Sequence, residues 1–271
     1  MLRTKQLQKF IPKKWRPLIK KIYVKWHNPL SQKEYNELPA LKCTIAYNKY
    51  GGYCVPESSQ HRPAAQKILF RDVYEPKTIE YLIANCGNGD IVHAGTYFGD
   101  FLPALAKNAA QGATIWAFEP NIENYECANV TVLINRLHNV VLHNAGLGCE
   151  DKNSYVVTSS PSGKALGGLS KIVDNDSPGQ KQTVQLMTID NIISTERNVS
   201  VIQLDVEGYE EYALKGGIAT IRRCLPIIIV ETSPTSELIT GEWFRTNILG
   251  LGYKQQQKIH GNIVFIPATK R

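Results

Sequence analysis

Long hydrophobic runs are absent from this chain. The longest aliphatic stretch, Ile227 to Val230, is far too short to cross a bilayer, and no apolar core of a secretory leader is found. Organised cysteine is missing too. Cys43, Cys54, Cys86, Cys127, Cys149 and Cys224 are scattered without a Cys-x-x-Cys, which excludes zinc-ribbon and dithiol redox motifs and makes six reduced, mostly buried thiols the expectation. Neither a Ser/Gly- or Pro-rich linker, an internal repeat nor a low-complexity tract occurs. The 271 residues are therefore expected to form one large domain with a short extension, in the cytoplasm.

Acid is lacking from one place only. Residues 1–27 hold nine of the 31 Lys and Arg residues and no Asp or Glu; the other 22 meet 24 acids. The basic character belongs to that segment, so the body offers no general nucleic-acid surface, and nucleic acid is not the expected partner. Trp15, Leu18, Ile19, Ile22 and Trp26 share one helical face, with Lys14, Lys20, Lys21 and Lys25 around it. Such a helix, over residues 14–27, would lie on an anionic membrane surface as a peripheral contact. Its alternative is packing on the domain with solvated lysines. The division read from sequence is a basic amphipathic extension over 1–39 and a catalytic domain over 40–271; oligomeric state is not legible.

What is present is alternation. After an irregular lead-in over residues 40–75, Pro76 suits the first turn of a helix running to Asn85. Then come strand Ile91-Val92, helix Gly99–Ala110, strand Ala113–Phe118, helix Ile122–Leu133 and strand Val140–His143. Residues 150–187 break the rhythm as an antiparallel excursion, with a Gly/Ser-rich loop from Ser159 to Ser170. The pattern resumes with strand Val201–Asp205, helix Glu210–Arg222, buried strand Ile227–Glu231 and helix Ser236–Leu249. It closes with a hairpin of Tyr253–Gln257 and Ile263–Ile266. The order implies a doubly wound, mostly parallel α/β sheet with an antiparallel edge hairpin.

In an open parallel sheet, ligands bind beyond the carboxyl ends of the strands. Those ends carry His93-Ala-Gly95-Thr96-Tyr-Phe-Gly99-Asp100, Glu119-Pro120-Asn121, Asn144-Ala-Gly146, Asp205-Val-Glu207-Gly208 and Glu231-Thr-Ser233. Gly95 and Gly99 remove side chains where a ligand approaches the backbone. Glu119 suits two ribose hydroxyls. Asn144 suits an adenine edge or simply a turn. Asp205 and Glu207 are read either as site groups or as an acid pair at the next helix N-terminus. A nicotinamide dinucleotide would need Gly-x-Gly-x-x-Gly after the first strand. Here Gly95-x-x-x-Gly99 is followed by Asp100, which repels pyrophosphate and suits a ligand with a cationic tail. No metal cage is read, although Asp205 and Glu231 stand where they could share a cation.

His93 to Phe101, Ala117-Phe-Glu119-Pro-Asn121, Asn139 to Gly148, Leu186 to Asp190, and Leu204-Asp-Val-Glu-Gly208 through Glu231 resemble the FkbM family of methyltransferases. The resemblance implies a class I, Rossmann-like methyltransferase fold and S-adenosylmethionine as methyl donor. It also implies O-methylation of a hydroxyl, on a sugar, a glycan or a related natural product. Carried over, Gly95, Thr96, Gly99, Glu119 and Pro120 line the donor site, Asn144 lies near the adenine, and Asp205 lies near the transferable methyl. Asp205 and Glu207 are the candidate bases. The family usually has Asp at the position of His93 and Asn at that of Tyr97. Glu75 and Asp100 are then the groups to hold the donor's positive tail. The alternatives are a donor-binding protein without turnover, or a methyltransferase for nucleic acid or another small molecule.

Overall fold

The computed structural model describes residues 41–173, 181–232 and 237–268. The basic helix expected between residues 14 and 27 lies outside the described residues, as does the start of the helix expected from Ser236.

The first described segment corrects the sequence reading. Residues expected to be irregular form a hairpin of β1 (Cys43–Tyr47) and β2 (Gly52–Pro56), followed by helix α1 (Pro63–Leu69). Local propensity is weak there, and tertiary hydrogen bonds hold the hairpin instead. Cys54 N–H donates to Thr131 Oγ1 at 3.0 Å; the Asn135 amide accepts from Gly52 N–H at 3.0 Å and donates to its carbonyl at 2.6 Å. Tyr53, Cys54 and Val55 bury completely in the same contact.

Helix α2 (Pro76–Asn85) starts at Pro76 as expected and leads to β3 (Asp90–Ala94), α3 (Leu102–Asn108), β4 (Ile115–Phe118), α4 (Ile122–Asn135) and β5 (Val140–His143). Helix α3 is shorter than its pattern, because residues from Gly95 to Phe101 are spent on a turn. The excursion contains β6 (Ala145–Leu147), β7 (Lys152–Val157), β8 (Lys171–Val173) and β9 (Lys181–Met187). It is a four-stranded sheet ordered β6-β9-β7-β8, in which β6 and β9 run parallel and the other pairs antiparallel.

Helix α5 (Ile189–Ile192) returns the chain to β10 (Val199–Leu204), α6 (Glu210–Lys215), α7 (Ile218–Cys224), β11 (Ile227–Glu231) and α8 (Glu242–Asn247). The hairpin of β12 (Tyr253–Ile259) and β13 (Asn262–Pro267) closes the fold. The single helix expected over 210–222 is broken at Gly216-Gly217. A Cβ on Gly216 would stand 1.9 Å from the Gly148 carbonyl oxygen, so the chain passes there only as glycine.

The central sheet has seven strands in the order β12-β13-β11-β10-β3-β4-β5. β11, β10, β3, β4 and β5 are parallel and the terminal hairpin is antiparallel. β3, β4 and β5 wind in one direction, then the chain crosses over to place β10 on the other side of β3. That reversal opens a crevice between the carboxyl ends of β3 and β10. The strands beside it are buried throughout, with separate apolar clusters on the two faces of the sheet. At the opposite end, buried Asp90 accepts from Trp116 Nε1 at 2.8 Å, Thr114 N–H at 2.9 Å and the Arg197 guanidinium. This fastens β3, β4 and the start of β10 together.

Candidate active site

The crevice holds a cavity of about 280 Å³. Gly95, at φ +82°, makes it possible: a Cβ there would sit 1.8 Å from the Asp205 carbonyl oxygen. The two strand ends therefore close to hydrogen-bonding distance, with Asp205 N–H donating to Ala94 O at 3.0 Å. The wall carries Glu75, Asp100, Asp205, Glu207 and Glu231 against one cation, Arg62. Glu75, Tyr97 and Glu207 all take left-handed backbone conformations, which are uncommon for such residues and gather at functional sites.

A narrower slot continues from it, lined by Phe118, Glu119, Pro120, Gly146, Leu147 and Ile172. Gly95, Gly168 and Asp205 border both spaces, so Asp205 marks their junction. The Ser159–Ser170 loop contributes Gly168 to both spaces, Leu169 to the cavity and Ser170 to the slot. Asn124 Nδ2 donates to Gly167 O at 3.1 Å, Asn121 Nδ2 to Ser170 Oγ at 3.0 Å, and Arg62 Nη2 to Ala165 O at 3.2 Å.

Glu119 is buried at the end of β4. Its carboxylate accepts from Tyr97 N–H at 2.7 Å, Asn121 N–H at 2.9 Å and Asn124 Nδ2 at 3.3 Å. Burial outweighs these donors and pushes its pKa up to about 7. Asp100 is likewise pushed up to about 7, by burial first and then by the charge of Glu75. Glu75 accepts from Thr78 Oγ1 and Asn262 Nδ2, each at 2.9 Å; burial still raises it. Asp205 is raised by burial and by the Glu231 carboxyl bonded to it, and Glu207 is pushed up to about 7 by burial and Glu231.

Of the residues singled out in the sequence, Glu75, Gly95, Asp100, Asp205 and Glu207 meet on the wider cavity, and Glu119 and Pro120 on the slot. Thr96, Gly99 and Asn144 build the walls from behind. Thr96 Oγ1 donates to His93 O at 3.2 Å, and Asn144 Nδ2 donates to Glu119 O at 2.9 Å and Pro120 O at 3.2 Å. Gly99, at φ +84°, packs on Leu102 and Thr131. Glu231, noted in the sequence as a strand-end acid beside Asp205, lines the same cavity; Arg62 and Gln203 were not selected. Gln203 was findable, since it precedes Asp205 by two in a strand and so shares its face. Arg62 was not, since the helix it precedes, α1, went unseen.

His93 sits at the end of β3, 2% exposed and stacked on Phe101 with ring centroids 5.4 Å apart. Its Nδ1 is bonded to Gln203 Oε1, and its Nε2 has no partner. Burial holds its pKa at about 4, so the imidazole is neutral. The acids that line the cavity with it include Asp100 and Glu75.

A parallel sheet wound in this order, with a glycine turn after its first strand and a buried acid after its second, defines a class I methyltransferase. The methyltransferase FkbM domain matches residues 93–253, more than half of the chain. The chain belongs to the FkbM methyltransferase family, and its methyl donor is S-adenosylmethionine.

Among solved structures, methyltransferase FkbM from Methylobacillus flagellatus is 18% identical, with a TM-score of 0.46 over 66% of this chain and 43% of that one. The present chain thus spans less than half the length of that protein. A SAM-dependent methyltransferase from Aquifex aeolicus is 13% identical, with a TM-score of 0.40 over 77% of this chain and 93% of its own. TYW2 from M. jannaschii, solved with AdoMet, is 12% identical, with a TM-score of 0.44 over 84% and 85% of the two chains. No curated protein matches the sequence. Among the described residues, no helix is long and apolar enough to cross a membrane.

The residues present fit the donor. The slot, about 20 Å³ as it stands, pairs apolar walls with a buried carboxylate, the chemistry a nucleoside needs, and has to widen to admit one. The cavity beside it places Asp100 and Glu75 near bare backbone at Gly95, as a cationic amino-acid tail needs.

Proposed function

We propose that this chain transfers the methyl group of S-adenosylmethionine to a hydroxyl, on a sugar of a glycan or on a related small natural product. The observation that carries this reading is the division of the crevice at Asp205. Glu119 stands in the slot on one side, and Glu207 and Glu231 stand in the wider cavity on the other. Glu119, Phe118 and Pro120 would hold the nucleoside; Gly95, Asp100 and Glu75 would hold the amino-acid tail. When bound, the donor supplies an electrophilic methyl on a positively charged sulfur that departs as a neutral thioether.

The chain's own residues supply position and a proton acceptor. An alcohol must lose its proton as its oxygen reacts, and a base within hydrogen-bond reach is worth about 10²–10⁴-fold. Asp205 and Glu207, on the wall where the acceptor enters, are the groups for that task. Holding the reacting oxygen in line contributes about 7–11 kcal/mol. The Ser159–Ser170 loop, tied down by Asn121, Asn124 and Arg62, keeps bulk water from the junction.

Calorimetry with S-adenosylhomocysteine tests the donor half: Glu119→Ala is expected to weaken binding more than tenfold. A panel of sugars and oligosaccharides, incubated with the donor and read by mass spectrometry for a new methyl ether, tests the acceptor half. Methylation of RNA or protein with no methyl ether on any hydroxyl would overturn the acceptor assignment. Binding without any turnover would favour a donor-binding protein.

A further inference from the structure

We propose that Asp205, Glu207 and Glu231 bind a divalent cation of the oxygen-preferring kind, magnesium or manganese, and that it seats the acceptor through two neighbouring hydroxyls. The seating role rests on the methyltransferase reading above; the cation site itself does not.

The three residues each offer a carboxylate oxygen, and these oxygens all lie within 4.8 Å of one another. Ligands about 2.0–2.4 Å from a common centre are necessarily no more than about 4.0–4.8 Å apart, so the trio already has the spacing of one ion's ligands. The carboxylates come from separate places that the fold brings together. Asp205 follows β10, where its N–H is bonded to Ala94 O. Glu207 stands two residues on, at φ +54°. Glu231 ends β11, held in register opposite Asn262 of β13. Among the described residues, no Lys or Arg makes a salt bridge to any of the three. Three carboxyls this close are stable together only with a proton shared between them, as Asp205 and Glu231 share one here, or with a cation in its place.

His93 is an independent pointer to a ligand in this cavity. It is 2% exposed, it lines the same cavity as the trio, and its Nε2 has no partner. In strand register His93 faces Gln203, and Asp205 follows Gln203 by two, so the three side chains share one face of the sheet. An amide oxygen accepts only a hydrogen, so the bond from Nδ1 to Gln203 Oε1 puts the hydrogen on Nδ1 and a lone pair on Nε2. Metal-facing histidines are commonly held in this way, with the far nitrogen donating to an oxygen. A buried acceptor without a donor is rare, and a ligand entering this cavity would complete it. The ligand set is all carboxylate with no thiolate, which selects magnesium or manganese over soft metals. Three protein carboxylates, one oxygen from each, leave coordination positions open; two adjacent hydroxyls would fill them as a chelate, with the second oxygen of Asp205 or Glu207 left to take the acceptor's proton.

The test uses the full chain, stripped with EDTA and titrated with manganese(II), free ion being read by electron paramagnetic resonance. One saturable site is expected. Glu231→Gln and Asp205→Asn should each weaken it more than tenfold, and His93→Phe should weaken it less. Wild-type protein that binds S-adenosylhomocysteine by calorimetry but shows no saturable manganese site would overturn the cation proposal and leave the methyltransferase reading standing. The same holds if both carboxylate variants fold, by circular dichroism, and bind manganese as the wild type does. A manganese site without S-adenosylhomocysteine binding would support the cation site and sink the methyltransferase reading. For the seating role, added manganese is expected to raise methylation of a vicinal diol at least tenfold over its monodeoxy analogue; equal rates would overturn it.

Discussion

Replacing Gly95 by alanine separates two costs that a glycine can hide. Gly95 and Gly112 have nearly the same φ, +82° and +85°, but a Cβ on Gly112 meets nothing within 4 Å. Gly112→Ala should therefore show only the left-handed penalty, about 1–2 kcal/mol, less about 0.4–1 kcal/mol for the stiffer unfolded chain. Gly95→Ala carries the same sum plus a collision. Its Cβ would stand 1.8 Å from Asp205 O and 2.8 Å from the carbonyl carbon, both backbone atoms that cannot swing aside. The ends of β3 and β10 would have to part, straining the Asp205 N–H to Ala94 O bond at 3.0 Å. Overpacking of about 1–3 kcal/mol and a hydrogen bond of about 0.5–1.5 kcal/mol bring the expected loss to about 3–5 kcal/mol. Urea unfolding of both variants measures the difference, and calorimetry with S-adenosylhomocysteine reads the damage to the crevice. If Gly95→Ala unfolds within about 1 kcal/mol of Gly112→Ala, the strand ends do not approach as described.

Two further outcomes follow from the buried acids. Asp90→Asn should lose about 2–3 kcal/mol in urea unfolding, since charge-assisted bonds to a half-exposed Arg197 and to Trp116 and Thr114 are weakened. Burial raises the Asp90 carboxyl, but Arg197, Trp116 and Thr114 outweigh burial and lower it overall. Its contribution is therefore present above the ordinary aspartate range and lost as pH falls through the lowered value. The variant should show a flatter acid limb. Glu119 and Asp100 behave oppositely. Both are raised to about 7 by burial, so their contribution is full below the ordinary carboxylate range and lost as pH rises through about 7. Melting of the ligand-free protein should be higher at pH 6 than at pH 8, and S-adenosylmethionine should raise it more at pH 8. A donor-induced shift independent of pH would contradict the pairing of these acids with a cationic ligand.

Sequence signals were sufficient wherever a local rule coincides with the global fold. Pro76 opens α2, Asn121 caps α4 by accepting from Glu123 N–H, and the β–α alternation sets the parallel sheet. The acids at strand ends were legible because the doubly wound topology places strand ends beside ligands. What escaped depends on distant partners. The β1–β2 hairpin is specified by Thr131 and Asn135 about eighty residues away, which no window of local sequence contains. The break between α6 and α7 is set by the Gly148 carbonyl, not by helix propensity. Tyr97 takes φ +53° because its N–H binds Glu119 and its hydroxyl binds Ser59 Oγ at 2.5 Å; a tyrosine by itself announces no left-handed turn.

Charge distribution links the two halves of the crevice. Five acids face one arginine on the cavity wall, in a chain whose body is nearly neutral, so the negative potential is concentrated where the ligands enter. A low-dielectric wall makes that potential count for more than it would in water. Methyl transfer turns a sulfonium into a thioether and removes one positive charge from the bound ligand. Carboxyls that attract the donor as proposed would therefore hold the spent product less tightly, and exchange would be favoured in the productive direction. A carboxylate at position 93 would deepen this well. With a neutral His93 held by Gln203, the attraction proposed for the donor would fall to Asp100 and Glu75 at the tail. Selectivity for a charged donor over its neutral product thus rests on the placement of acids around the cavity more than on any one hydrogen bond.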